Sequence, residues 1–130
     1  MSRTHGRLAV ASLTVAAILV ACFSEHSPAG PDNATLCTNP GGSVVNGSTL
    51  VIIREFAFET QNVTVQAGAS VTWVNCETSG TAHTSTSDQD VWSSPLLGAG
   101  EAFTQTFDTP GVFPYHCDPH PFMTGTVTVE

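Results

Sequence analysis

The chain has 130 residues and a formal charge of −8, from eleven Asp and Glu against three arginines and no lysine. A chain this short builds one core, hence one domain. Nothing in it neutralises phosphates, so nucleic acid is excluded as a partner. A basic protein partner suits the charge, which quickens encounter more than it tightens binding; acidity also serves simply to keep a protein soluble.

Arg3, His5 and Arg7 open the chain, and Leu8 to Val20 is a largely apolar run interrupted only by Ser12 and Thr14. Those thirteen residues are short for a permanent span and read as the apolar part of a secretory signal. The run ends in Leu19-Val20-Ala21-Cys22, which resembles the lipobox of bacterial lipoproteins. Residues 1–21 are then a removable leader and Cys22 a lipidated N-terminus; the alternative is ordinary cleavage, with Cys22 incidental. Arg3 and Arg7 are not adjacent, so a twin-arginine route is not indicated. The mature chain keeps all eleven carboxylates and Arg54 as its only Lys or Arg. It is expected on the periplasmic or cell-surface side of a bacterial membrane, touching that membrane through the lipid alone. Residues 22–43, rich in Ser, Pro, Gly and Asn, read as a flexible tether, with His26 solvated in it.

The folded domain is expected over 44–130 and is all-β. Thr49 to Ile53 is an apolar run, Val63 and Val65 alternate with polar neighbours, and Ala67-Gly68-Ala69 makes a turn. Val71-Thr72-Trp73-Val74-Asn75 is the next strand, with Val71 and Trp73 on one face. After a Thr/Ser-rich segment around His83, Ala102 to Phe107 alternates again, and Pro110-Gly111 turns into Val112 to Cys117. On that last strand Phe113, Tyr115 and Cys117 share a face, while Val112, Pro114 and His116 share the other.

Chemistry concentrates in Cys117-Asp118-Pro119-His120-Pro121-Phe122-Met123, a C-x2-H-x2-M loop between two strands. With His83 upstream it supplies one thiolate, two imidazoles and one thioether, the donor set of a mononuclear blue-copper centre built for electron transfer. Each residue alone has a plainer reading. A lone Cys at a strand end is often a small buried hydrophobe, and Met123 could fill the core. Their conjunction favours one copper ion, cycling between Cu(I) and Cu(II), held by His83, Cys117 and His120 with Met123 as a weak axial ligand. His116 faces away from Cys117 and is not expected to ligate.

The series Phe56-x-Phe58, Val63-x-Val65-x-x-Gly68, Val71 to Asn75, Ala82-His83-Thr84, Gly100 to Phe107, Pro110 to Cys117 and His120 to Met123 resembles the cupredoxin family, most nearly its plastocyanin and amicyanin branch, over about residues 49–130. The resemblance implies a single antiparallel Greek-key β-sandwich. It implies a non-enzymatic electron carrier, acting as a monomer that meets redox proteins transiently. Electrons would pass at the His120 edge, through an apolar patch that includes Pro119, Pro121 and Phe122. Leu96 and Leu97 either extend that patch or close the core. By the same resemblance Asn75 and the Thr84 N–H are donors near the thiolate, and His116 is either a second electron port or a plain surface histidine.

Other functions fit less well. A catalytic copper domain needs further histidines, typically in H-x-H pairs, and this chain has none. A dinuclear purple centre needs two cysteines in the loop, where only Cys117 stands. A Cys117–His120 hydrolase has no evident oxyanion site. A copper storage or delivery protein would share the ligands but exchange its metal readily, and it stays open as the alternative. With Cys22 assigned to lipid and Cys117 to copper, Cys37 and Cys76 are left to form a disulfide in an oxidising compartment. Otherwise Cys37 stays mobile in the tether and Cys76 is a small buried hydrophobe.

Overall fold

The computed structural model describes residues 33–130. The expected leader, Cys22, His26 and the first part of the expected tether lie outside the described residues. The elements in chain order are α1 (Asn33–Leu36), β1 (Val44–Val45), β2 (Ser48–Arg54), β3 (Ala57–Glu59), β4 (Asn62–Val65), β5 (Ala69–Asn75), β6 (Thr86–Ser87), β7 (Ala102–Phe107), β8 (Gly111–Cys117) and β9 (His120–Val129).

Two sheets face each other. One has the order β1-β2-β5-β7, with β3 also paired to β2; the other has the order β4-β9-β8-β6. The β-sandwich is as expected, but it is not wholly antiparallel. β2 pairs with β5 in parallel, Ser48 opposite Ser70 through Ile53 opposite Asn75. β4 likewise lies parallel to β9, Asn62 opposite Thr126. The reason is the crossing of the chain between sheets. After β2 it passes through β3 and into β4 on the far sheet before returning as β5, which gives it the length a parallel partner requires.

Val51, Ile53, Val71 and Trp73 from the first sheet meet Tyr115, Cys117, Met123, Val127 and Val129 from the second in one apolar core. Trp73 is wholly buried at its centre, stacked on Trp92 at 5.6 Å between centroids and edge-on to Tyr115 at 5.4 Å. Trp92 comes from the long connection between β5 and β7, and its indole N–H donates to Ser85 Oγ at 3.0 Å. That bond ties the segment carrying His83 to the core.

β2 is apolar on both faces because both faces are covered. Val51 and Ile53 face the main core, while Leu50 and Ile52 join Val74 and Leu36 in a second cluster against which Cys37 and Cys76 also pack. Here the structure differs from a tether running to residue 43. Residues 33–43 are folded onto the sheet: Leu36 is buried, Cys37 is joined to Cys76 by a disulfide with Cα atoms 5.6 Å apart, and Arg54 donates to the Cys37 carbonyl at 3.0 Å. Composition pointed to a solvated linker, but one leucine and one cysteine outweigh it. Burying a leucine side chain is worth about 2 kcal/mol, and the covalent bridge removes the freedom to leave.

Candidate metal centre

Three donor residues arrive from two places in the fold. His83 sits in the β5–β7 connection, where its N–H donates to the Leu97 carbonyl at 3.0 Å and its carbonyl accepts from the Leu97 N–H at 2.8 Å. Cys117 ends β8 and His120 begins β9, and the two pair across a turn consisting of Asp118 and Pro119. The ladder shifts register between His116 and Cys117, where β8 ends, and Cys117 keeps the buried face of Tyr115. Pro119 and Pro121 flank His120 and fix backbone angles on both sides of it.

Cys117 Sγ lies 3.6 Å from Nδ1 of His83 and 3.6 Å from Nδ1 of His120. All three donor atoms fall within 4.8 Å of one another. An ion about 2.0–2.3 Å from each donor, at trigonal angles, requires a sulfur-to-nitrogen separation of about 3.6 Å. The cluster therefore fits a small thiophilic cation without rearrangement. His83 and Cys117 are fully buried and His120 is half-buried, so a single imidazole edge connects the cluster to the surface. Met123, on β9, is buried in the same core cluster as Cys117.

The electrostatics suit a neutral ligand. Burial pushes the His83 pKa below the ordinary histidine value, with His120 acting in the same direction and Glu77 opposing. An imidazole kept neutral has a lone pair to give. The backbone N–H of Thr84 donates to Cys117 Sγ at 3.4 Å, as expected. Asn75 does not reach the sulfur. Its side-chain N–H groups donate to the carbonyls of Thr81 at 2.8 Å and Leu97 at 2.9 Å, and its oxygen accepts from the Glu77 N–H at 3.0 Å. Asn75 thus braces the connection that carries His83 rather than the thiolate.

Around His120 the surface is apolar. Phe122 is exposed beside His120, with ring centroids 6.1 Å apart; of the Leu96-Leu97 pair, Leu97 closes the core and Leu96 is exposed. Phe56 stands edge-on to both imidazoles, 5.6 Å from His83 and 5.0 Å from His120 between centroids, with 41% of its surface exposed. Nothing in its sequence pattern singled it out as part of the centre. His116 lies outside the donor cluster. Its ring bridges Asp88 and Asp118, and the hydrogen bond to Asp88 is the main cause of its raised pKa.

Two features here escaped sequence reasoning, a turn and a buried acid. Glu55 and Phe56 form the β2–β3 turn with φ of 51° and 56°, between paired Arg54 and Ala57. The β1–β2 turn has the same pattern but uses Asn46-Gly47, the residues that tolerate it. A bulky residue held left-handed costs about 1–2 kcal/mol. Glu77 is the second. Its carboxylate is buried, accepts the Phe56 N–H at 2.8 Å, and lies 3.3 Å from Nε2 of His83. A lone acid six residues before His83, in an otherwise small and polar segment, was the available signal.

The family described as copper binding proteins, plastocyanin/azurin family, matches residues 45–130. The amicyanin of Paracoccus denitrificans is 32% identical over 122 residues, covering 89% of this chain and 92% of that one. Amicyanin-alpha of Methylorubrum extorquens is 39% identical over 88 residues, covering 65% of this chain and 73% of that protein. Among solved structures, a Cu(I) form of an amicyanin variant aligns with a TM-score of 0.62 at 33% identity, covering 71% of this chain and 90% of that one. With the match spanning both strands that carry Cys117 and His120 and the segment that carries His83, the chain belongs to the plastocyanin/azurin family of copper-binding proteins.

Proposed function

We propose that this protein carries single electrons between redox proteins through one copper ion held by His83, Cys117 and His120, with Met123 as a long axial ligand. The observation that carries this reading is the pair of 3.6 Å sulfur-to-nitrogen separations in a buried cluster with one half-exposed imidazole. Copper held by this set would supply a one-electron couple with little reorganisation, because neither donor segment has slack. A hairpin turn and a doubly hydrogen-bonded bridge fix them.

The surface supports transient contact. His120, Phe122 and Phe56 present an apolar area of modest size, suited to a brief redox encounter. Arg54 is the only described Lys or Arg, so a basic rim on the partner would steer approach. The chain is exported in this reading, lipidated at Cys22, and works as a monomer on the periplasmic or outer face of a bacterial membrane. The apolar run ending at Cys22 supports this placement.

Loading the purified protein with Cu(II) and recording its visible spectrum tests the centre. An intense blue thiolate-to-copper band is expected, and a colourless protein with stoichiometric copper would overturn the reading. Copper delivery is distinguished by exchange. A carrier of electrons keeps its metal through washing with a chelator, whereas a delivery protein surrenders it.

A further inference from the structure

The imidazole of His83 is wholly buried between two groups. Nδ1 faces the Cys117 sulfur at 3.6 Å, and Nε2 faces the Glu77 carboxylate at 3.3 Å. Nε2 makes no hydrogen bond of ordinary geometry. A buried N–H with no acceptor is costly, and Glu77 Oε1, 3.3 Å away, is an acceptor within reach of it. The same oxygen accepts the N–H of Phe56, in a turn that its own residues disfavour. Glu77 in turn is held by its N–H to Asn75 Oδ1 at 3.0 Å, at the end of β5. One carboxylate oxygen therefore stands at the junction of a strained turn, a buried imidazole and the ring that covers both candidate imidazole ligands.

We propose that Glu77 is a positioning residue of the metal centre: it takes the Nε2–H of His83 so that Nδ1 faces the metal, and it clamps the Glu55–Phe56 turn so that Phe56 screens both imidazoles. This rests on the copper reading above. A carboxylate on the far nitrogen orients a ligating histidine and makes it a stronger donor. Its negative charge, in a dry setting, also favours the more positive metal ion. Both effects stabilise Cu(II) relative to Cu(I) and lower the reduction potential.

The test compares the protein with Glu77→Gln, Phe56→Gly and the double variant. Phe56→Gly gives the turn a residue that accepts a left-handed backbone, so it removes the need for the clamp. Glu77→Gln is expected to weaken Cu(II) binding about tenfold relative to Cu(I), a rise in potential of about 59 mV by voltammetry. The rise should persist when Phe56→Gly is also present, and this double variant supplies the measurement if Glu77→Gln alone does not fold. Nitrogen NMR of the metal-free protein should find the His83 ring proton on Nε2.

An unchanged potential in the double variant overturns the proposal, because Glu77 would then serve the turn alone. A ring proton on Nδ1 in the metal-free protein overturns it too, with no copper needed. A protein that never turns blue sinks the electron-transfer reading instead, and leaves the proton position to judge Glu77.

Discussion

Thr84 and Asp118 hold each other by two hydrogen bonds: the Asp118 N–H donates to Thr84 Oγ1 at 2.8 Å, and the Thr84 hydroxyl donates to Asp118 Oδ2 at 3.2 Å. Thr86 adds a third bond to the same carboxylate oxygen at 2.8 Å, and these contacts hold Asp118 below the usual carboxylate range, the Thr86 bond contributing most. The segment bearing His83 is thereby fastened to the turn between Cys117 and His120. Thr84→Val keeps the shape and removes both bonds. It should cost about 1–2 kcal/mol and speed copper loss to a chelator, measured by thermal unfolding and by the decay of colour. Unchanged copper retention would show that the two segments do not need this clasp.

Cys117→Ser should abolish the blue colour, because no thiolate remains to donate charge to copper. A variant that stayed blue would remove Cys117 from the centre.

Met123→Gln should keep copper bound and lower the reduction potential, because an amide oxygen in the axial position favours Cu(II) more than a thioether does. Voltammetry and metal analysis read the two effects separately. Loss of all copper would count against an axial role for this buried side chain.

Tyr115 is the only tyrosine in the chain, so phenolate absorbance reports on it alone. Burial raises its pKa from 10.0 to about 12. Its neutral form is favoured by folding, so the stability it contributes is complete below pH 10 and is lost as pH rises toward 12. Phenolate should therefore appear together with loss of folded structure in alkali, not before it. A titration midpoint near 10.0 in folded protein would refute the burial.

The disulfide closes a segment with a sequence separation of 39. Replacing both Cys37 and Cys76 with alanine should lower stability by about 4 kcal/mol on the loop-entropy estimate. Denaturant unfolding of the metal-free variant measures this directly. A loss below about 1 kcal/mol would mean that the cover formed by Leu36 holds without the bridge.

The sequence alone displayed the class of fold and the candidate donors of the centre. Cys117, His120 and Met123 lie within one short stretch, so local spacing displays these candidates, and alternation around Val71 to Asn75 and Ala102 to Phe107 displays strands. What it could not decide depends on neighbours distant along the chain. That Leu36 leaves a polar segment to cover Leu50 and Ile52, that Asn75 braces a loop rather than the sulfur, and that β2 and β5 run in parallel all follow from how the sheets meet. Phe56 and Glu77 are the sharpest case: 21 residues apart, they acquire a shared role only when the β2–β3 turn folds over His83. Periodicity reports which residues seek burial. The partner waiting at each buried polar atom is set by tertiary contact, because a hydrogen bond is fixed by distance in space and not along the chain.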